Sequence, residues 1–153
     1  GPLNFINELK NILNQGIKIN ILGDQKKLNS DLRSIIKKTV MLTKKNKKIV
    51  VNLALNYGSN IEILNALKKT KGKLTLKSIE NNLYTRNLPN PDILIRTGGY
   101  QRLSNFLLWQ LCYSELFFLQ PVWPDLNATD LKNIIKKYKK IKRNFGRIWF
   151  QKI

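Results

Sequence analysis

The chain contains no histidine and a single cysteine, Cys112. The first absence removes Ser–His–Asp and Cys–His catalysts and the histidine-bearing zinc sites. The second removes an internal disulfide and any cysteine cluster for zinc, and leaves Cys112 to be read as a small core residue. Acids are scarce too. Glu8, Asp24, Asp31, Glu62, Glu80, Asp92, Glu115, Asp125 and Asp130 are the nine carboxylates, so any acid, base or metal ligand comes from them or from Lys and Tyr. No apolar run approaches the roughly 18 residues a membrane-spanning helix needs, and the start lacks a signal-peptide pattern. A cytoplasmic location is expected.

What is abundant is positive charge: 28 Lys plus Arg give a formal net charge of +19. Taken alone, that points to nucleic acid, anionic lipid or phosphorylated substrates. Lys, Asn and Ile are, however, plentiful everywhere, as in the drift of an AT-rich genome that fills solvated faces with lysine. The aromatics expected between the basic residues of a single-strand nucleic-acid platform are missing. No specific nucleic-acid partner is expected, and peripheral contact with membrane lipid stays open. With 153 residues the chain has the size of one domain, residues 3–153, able to bury roughly two-thirds of its unfolded surface. Gly1-Pro2, without an initiator methionine, reads as a cloning vestige or fragment edge.

Phe5, Ile6, Leu9, Ile12 and Leu13 recur at helical spacing and Gly16 closes that helix. Ile17, Ile19 and Ile21 alternate as a strand before Gly23-Asp24. Ser30 is the expected cap of a second amphipathic helix through Leu32, Ile35, Ile36 and Val40. The almost unbroken apolar run from Ile49 to Leu55 predicts a strand buried on both faces. The loop Asn56 to Asn60 then opens a helix with the apolar stripe Ile61, Leu64 and Leu67. A short helix over Leu76 to Leu83, a strand over Ile93 to Ile95, another over Leu116 to Leu119 and a last helix capped by Asn127 complete the order. Strands alternating with helices predict an α/β fold: a mostly parallel sheet with helices on both faces.

The stretch from Asp92 to Glu115 carries the most chemistry. Arg96 ends the strand, Gly98 and Gly99 are free to adopt positive φ and to let N–H groups approach a ligand, and Arg102 and Ser104 follow. Phe106, Trp109, Gln110 and Tyr113 suit a helix capped by Ser104. Two guanidiniums, a hydroxyl and a glycine turn at a helix N-terminus make an anion site, and arginine grips phosphate oxygens bidentately. On spacing alone, two surface arginines beside an ordinary turn fit as well.

The same residues carry a resemblance. Asp92-Ile-Leu-Ile-Arg-Thr-Gly-Gly, Gln101-Arg-Leu-Ser-Asn-Phe-Leu-Leu-Trp-Gln-Leu, Tyr113-Ser-Glu-Leu and Val122-Trp-Pro-Asp125 closely resemble the cis-prenyltransferases of the undecaprenyl diphosphate synthase (isoprenyl transferase) family. The likeness extends through Ile21-Leu-Gly-Asp24, Asn52-Leu-Ala-Leu-Asn-Tyr-Gly58, Leu83-Tyr-Thr85 and Leu88-Pro89. It implies a transferase that condenses isopentenyl diphosphate onto an allylic diphosphate with cis geometry, making an undecaprenyl-type lipid carrier for the cell wall. It also implies a homodimer pairing through the C-terminal half. Such chemistry holds two diphosphates together and neutralises the leaving group, commonly with Mg²⁺. By that resemblance Arg96, Arg102 and Ser104 bind the diphosphate of isopentenyl diphosphate, Gly99 gives a backbone contact beside them, and Glu115 is the carboxylate associated with Mg²⁺. Asn105, Trp109, Tyr113 and Trp123-Pro124-Asp125 are assigned structural roles. Phe145-Gly146 falls beside the partner's site, with Arg143 or Arg147 offering a phosphate contact across the dimer.

The chain also departs from the pattern. Asn60 stands where the family usually has an arginine, and Tyr100 where it usually has an acid. The motif His-x-x-Asp-Gly-Asn-Gly-Arg, which carries the family's catalytic aspartate, does not occur in these 153 residues, so no catalytic residue is assigned. The family's N-terminal strands and helices are expected to be absent, which suits a fragment covering the C-terminal two-thirds of such an enzyme: able to bind a diphosphate, unable to turn over alone. Two other readings fit: a non-catalytic subunit lending its phosphate motif to a partner, and a small basic nucleic-acid-binding protein.

Overall fold

The computed structural model describes Glu8 and residues 10–146. Phe5, Ile6 and Leu9 of the first expected helix, Gly1-Pro2 and Arg147 lie outside the described residues. The chain divides into two compact units, Gly1–Arg86 and Asn87–Ile153.

In the first unit, helical residues 10–14 end at Gly16, whose φ of 71° is the left-handed conformation that suits a helix stop. Strand β1 (Ile17–Leu22) and strand β2 (Ile49–Ala54) pair in parallel from Ile17 opposite Ile49 to Leu22 opposite Ala54. Asn20 and Asn52 face each other in that register, and the Asn20 amide donates to the Asn52 side-chain oxygen at 3.0 Å. Helix α1 (Ser30–Thr43) packs on β1. It is capped by Asn29, whose side chain accepts from the Leu32 N–H at 2.8 Å, and not by Ser30, which is already helical. The extended backbone of Asn29 puts its oxygen over the first turn one residue earlier than the sequence suggested.

The expectation that β2 is buried on both faces is not met. Ile49, Val50 and Leu53 are exposed: side chains on the two faces of a strand are buried only by layers packed over them, and helix α1 packs on β1. The core of this unit lies instead around Ile19, Leu22, Ile36, Ala66 and Leu83. Thr43, fully buried, joins α1 to β1: its hydroxyl accepts from the Ile19 N–H at 3.1 Å and donates to the Thr39 carbonyl at 2.9 Å. Thr43→Val leaves that buried donor without a partner. Unfolding free energy is expected to fall by about 1–3 kcal/mol, read as a lower denaturation midpoint at unchanged slope.

Helix α2 (Ser59–Lys69) reverses its expected faces: Ile61, Leu64 and Leu67 point outward, while Ser59, Glu62 and Ala66 are buried. Helix α3 (Leu76–Glu80) stops short of Leu83, starting from a capping box in which Thr75 and Ser78 each bond the other's backbone N–H.

In the second unit, strand β3 (Ile93–Arg96) pairs in parallel with strand β4 (Glu115–Phe118), Ile93 opposite Glu115 and Arg96 opposite Phe118. A 3₁₀ turn at Trp123–Asp125 precedes helix α4 (Ala128–Lys139), which is capped as expected by Asn127 in a reciprocal box with Asp130. Arg143 holds the segment after α4 in place. Its guanidinium donates to Asp92 Oδ1 at 2.6 Å, to the Tyr138 hydroxyl at 2.7 Å and to the Tyr113 carbonyl at 2.8 Å, and it lies 4.5 Å from the centroid of the Phe145 ring. The hydrogen bond to Asp92 raises its pKa further above the ordinary arginine value, so Arg143 stays charged. A phosphate would have to displace these partners to reach it.

The helix expected over Phe106 to Tyr113 does not form. Residues 104–113 are a series of turns. Ser104, Asn105 and Leu107 have φ of 49°, 62° and 45°, left-handed values that interrupt the i→i−4 ladder. Leu107, Gln110 and Leu111 are nonetheless buried, whereas Tyr113 and Cys112 are exposed, contrary to the core role expected of Cys112. Parallel strands alternating with helices make the chain α/β, as its sequence indicated. Among the described residues no helix is long and apolar enough to cross a membrane.

Candidate anion-binding site

Arg96, last residue of β3, is the pivot. Its Nη1 donates to the Ser104 hydroxyl oxygen at 2.9 Å and to the Arg102 carbonyl. The loop therefore folds back over the strand end, and all three residues named from the sequence meet there. Both guanidiniums lie over the ring of Tyr100, with Cζ of Arg96 5.5 Å and Cζ of Arg102 4.3 Å from its centroid. No carboxylate among the described residues pairs with either arginine; the ion pair of this unit is Arg143–Asp92. Neither positive charge is thus offset by a carboxylate among the described residues.

Arg96, Arg102 and Ser104 border a cavity of about 360 Å³ at the carboxyl end of β3, whose wall also includes Leu94, Ile95, Leu103 and Phe106. Ligand sites in open parallel sheets fall at that end of the strands, and the volume suits a small molecule. Its lining combines cationic with aliphatic and aromatic side chains.

Two details differ from the sequence expectation. No helix begins at Ser104, so the positive end of a helix dipole plays no part; the charge comes from the arginines. The N–H groups of Gly98 and Gly99 are not free for a ligand either. They donate to the carbonyls of Pro121 and Leu119 at 2.8 and 2.9 Å. The glycines are needed for conformation: φ is 90° at Gly98 and 79° at Gly99, and a Cβ on Gly99 would come within 2.8 Å of Gln120 Oε1. Gly99 shapes the turn that presents Tyr100.

Glu115 does not join the cavity. It starts β4 opposite Ile93, three register positions from the pair formed by Arg96 and Phe118, or about 10 Å along the strand. Among the described residues no three His, Cys, Asp or Glu side chains gather to hold a metal. Mg²⁺ commonly takes one or two carboxylates together with waters and substrate phosphates. Any Mg²⁺ at Glu115 would need ligands that the described residues do not provide.

The first unit has a second cavity, of about 240 Å³, at the carboxyl ends of β1 and β2, bordered by Asp24, Lys27, Asn56, Tyr57 and Tyr84 among others. Behind it sits Glu62, 2 % exposed. One carboxyl oxygen accepts from the Tyr84 N–H at 2.8 Å and the other from the Tyr57 hydroxyl, while the Tyr57 and Tyr84 rings meet edge-on with centroids 6.2 Å apart. Neither this knot nor the stacking by Tyr100 was read from the sequence. An acid set among Ile61, Ile63 and Leu64, with a second aromatic further downstream, is only a faint sign of the first.

Fold and site together define an α/β protein with a pocket lined by two arginines, a serine and apolar side chains at the carboxyl end of β3. A family model described as "Putative undecaprenyl diphosphate synthase" matches residues 3–146, and the chain belongs to that family. An isoprenyl transferase of Rickettsia bellii is 43% identical over 144 residues, covering 92% of this chain and 64% of the relative. Among solved structures, a probable undecaprenyl diphosphate synthase of Campylobacter jejuni superposes with a TM-score of 0.85 at 32% identity, over 95% of this chain and 71% of that one. The lavandulyl diphosphate synthase of Lavandula x intermedia, solved with dimethylallyl diphosphate, gives 0.86 at 30%, over 94% and 66%. The chain therefore spans a little under two-thirds of the curated relative.

Proposed function

We propose that this chain carries the isopentenyl diphosphate subsite of a cis-prenyltransferase, an enzyme that joins isopentenyl diphosphate to an allylic diphosphate to build an undecaprenyl-type carrier. The observation that supports it most is the convergence of Arg96, Arg102 and Ser104 on one cavity with an apolar wall. In this reading the guanidiniums and the hydroxyl bind the diphosphate, charge-assisted and multidentate. Leu94, Leu103 and Phe106 exclude water from the five-carbon tail. Held in this way, the homoallylic double bond can be aimed at an allylic carbon, and positioning of this kind accounts for much of the barrier in a two-substrate condensation.

Mg²⁺ belongs to the whole reaction, where it would neutralise phosphate charge, with Glu115 as a candidate ligand completed by the substrate. The proposal extends to a homodimer paired through the C-terminal half and to a cytoplasmic enzyme whose product is a lipid. Because the arginine pocket needs no metal of its own, isopentenyl diphosphate is expected to bind this chain equally well, within about twofold, with Mg²⁺ or with EDTA in calorimetric titration. A further expectation is that the chain alone, given both substrates and Mg²⁺, forms no polyprenyl product, since none of its described residues supplies the aspartate motif. Strictly Mg²⁺-dependent binding, or product, would count against this division of labour.

A further inference from the structure

We propose that Tyr100 is a positioning residue of the anion site, a neutral platform that holds both guanidiniums ready for phosphate without spending their charge. The inference rests on the reading of Arg96, Arg102 and Ser104 as a diphosphate site. Arg96 is fixed twice, by its bonds to the Arg102 carbonyl and the Ser104 hydroxyl and by the ring. The Arg102 guanidinium has no hydrogen-bond partner among the described residues, so the Tyr100 face 4.3 Å away is what orders it.

The physical advantage is specific to an aromatic. A free arginine loses rotamer freedom when it grips a ligand, and a surface that orders it beforehand removes much of that cost. The π face attracts the cation and leaves its N–H edge available. The turn that carries Tyr100 is itself anchored, through the Gly98 and Gly99 N–H bonds to Pro121 and Leu119. Half of the Tyr100 surface is open to solvent, so substitutions there leave the core intact.

The test is calorimetric titration of the whole chain with isopentenyl diphosphate and, separately, with inorganic pyrophosphate. Tyr100→Phe should bind both within about twofold of the parent, because the π face survives. Tyr100→Leu and Tyr100→Gln should each weaken both by about tenfold. Arg102→Ala is the control. If Arg102→Ala loses binding while Tyr100→Leu and Tyr100→Gln bind like the parent, the platform role is wrong and the anion site stands. If Arg102→Ala also binds like the parent, the site itself is wrong and the role of Tyr100 falls with it.

Discussion

Arg102→Ala is expected to weaken isopentenyl diphosphate binding by about 10- to 100-fold. The estimate follows from the loss of one charge-assisted contact, worth about 1.5–3 kcal/mol at a charged group, in a pocket where no carboxylate among the described residues pairs with the arginines. Arg96→Ala should do at least as much harm, because it also frees the Arg102 carbonyl and the Ser104 hydroxyl that Arg96 gathers. Lysine should not rescue either position: it restores the charge but not the planar fork. The signature that separates this from loose polyanion attraction is selectivity. Binding of a polyanion through surface lysines drops steeply with salt and should change by only about one contact in Arg102→Ala.

Glu62→Ala is expected to have the largest effect on stability. The side chain is buried, and its removal takes away the acceptors of the Tyr84 N–H and the Tyr57 hydroxyl and leaves a void in the core. Two unmade hydrogen bonds and the void together are worth about 3 kcal/mol. Glu62→Gln keeps the volume and one acceptor and should cost about 1 kcal/mol. Urea unfolding of the three proteins, followed by circular dichroism, gives the comparison. If Glu62→Ala and Glu62→Gln both unfold with the parent, the knot contributes nothing.

How far these features could be read in the sequence varied with the range of the interaction that fixes them. Local, chain-adjacent signals carried through: the alternating isoleucines of β1, Gly16 as a stop, Asn127 as a cap and Arg96 at a strand end all occur where pattern and propensity place them. The convergence of Arg96, Arg102 and Ser104 was also legible, because eight residues and two glycines leave few ways to connect them. What failed depended on neighbours. Ile49 to Leu53 reads as a doubly buried strand, yet burial depends on how many strands and helices flank it, which no window of residues records. The run from Phe106 to Tyr113 has helical spacing, but hydrogen bonds from Arg96 to the loop's entry and three left-handed residues override it. Glu62 and Tyr100 act through side chains from elsewhere in the fold or turn, and their types alone said little. Glu115 was placed by resemblance to other chains, and the strand register sets it apart from the arginines.

The most direct test of the central claim is a crystal structure of this chain soaked with isopentenyl diphosphate. The account predicts the diphosphate within hydrogen-bonding distance of the Arg96 and Arg102 guanidiniums and the Ser104 hydroxyl, with its hydrocarbon against Leu94, Leu103 and Phe106. A diphosphate seated elsewhere while this pocket stays empty would contradict it.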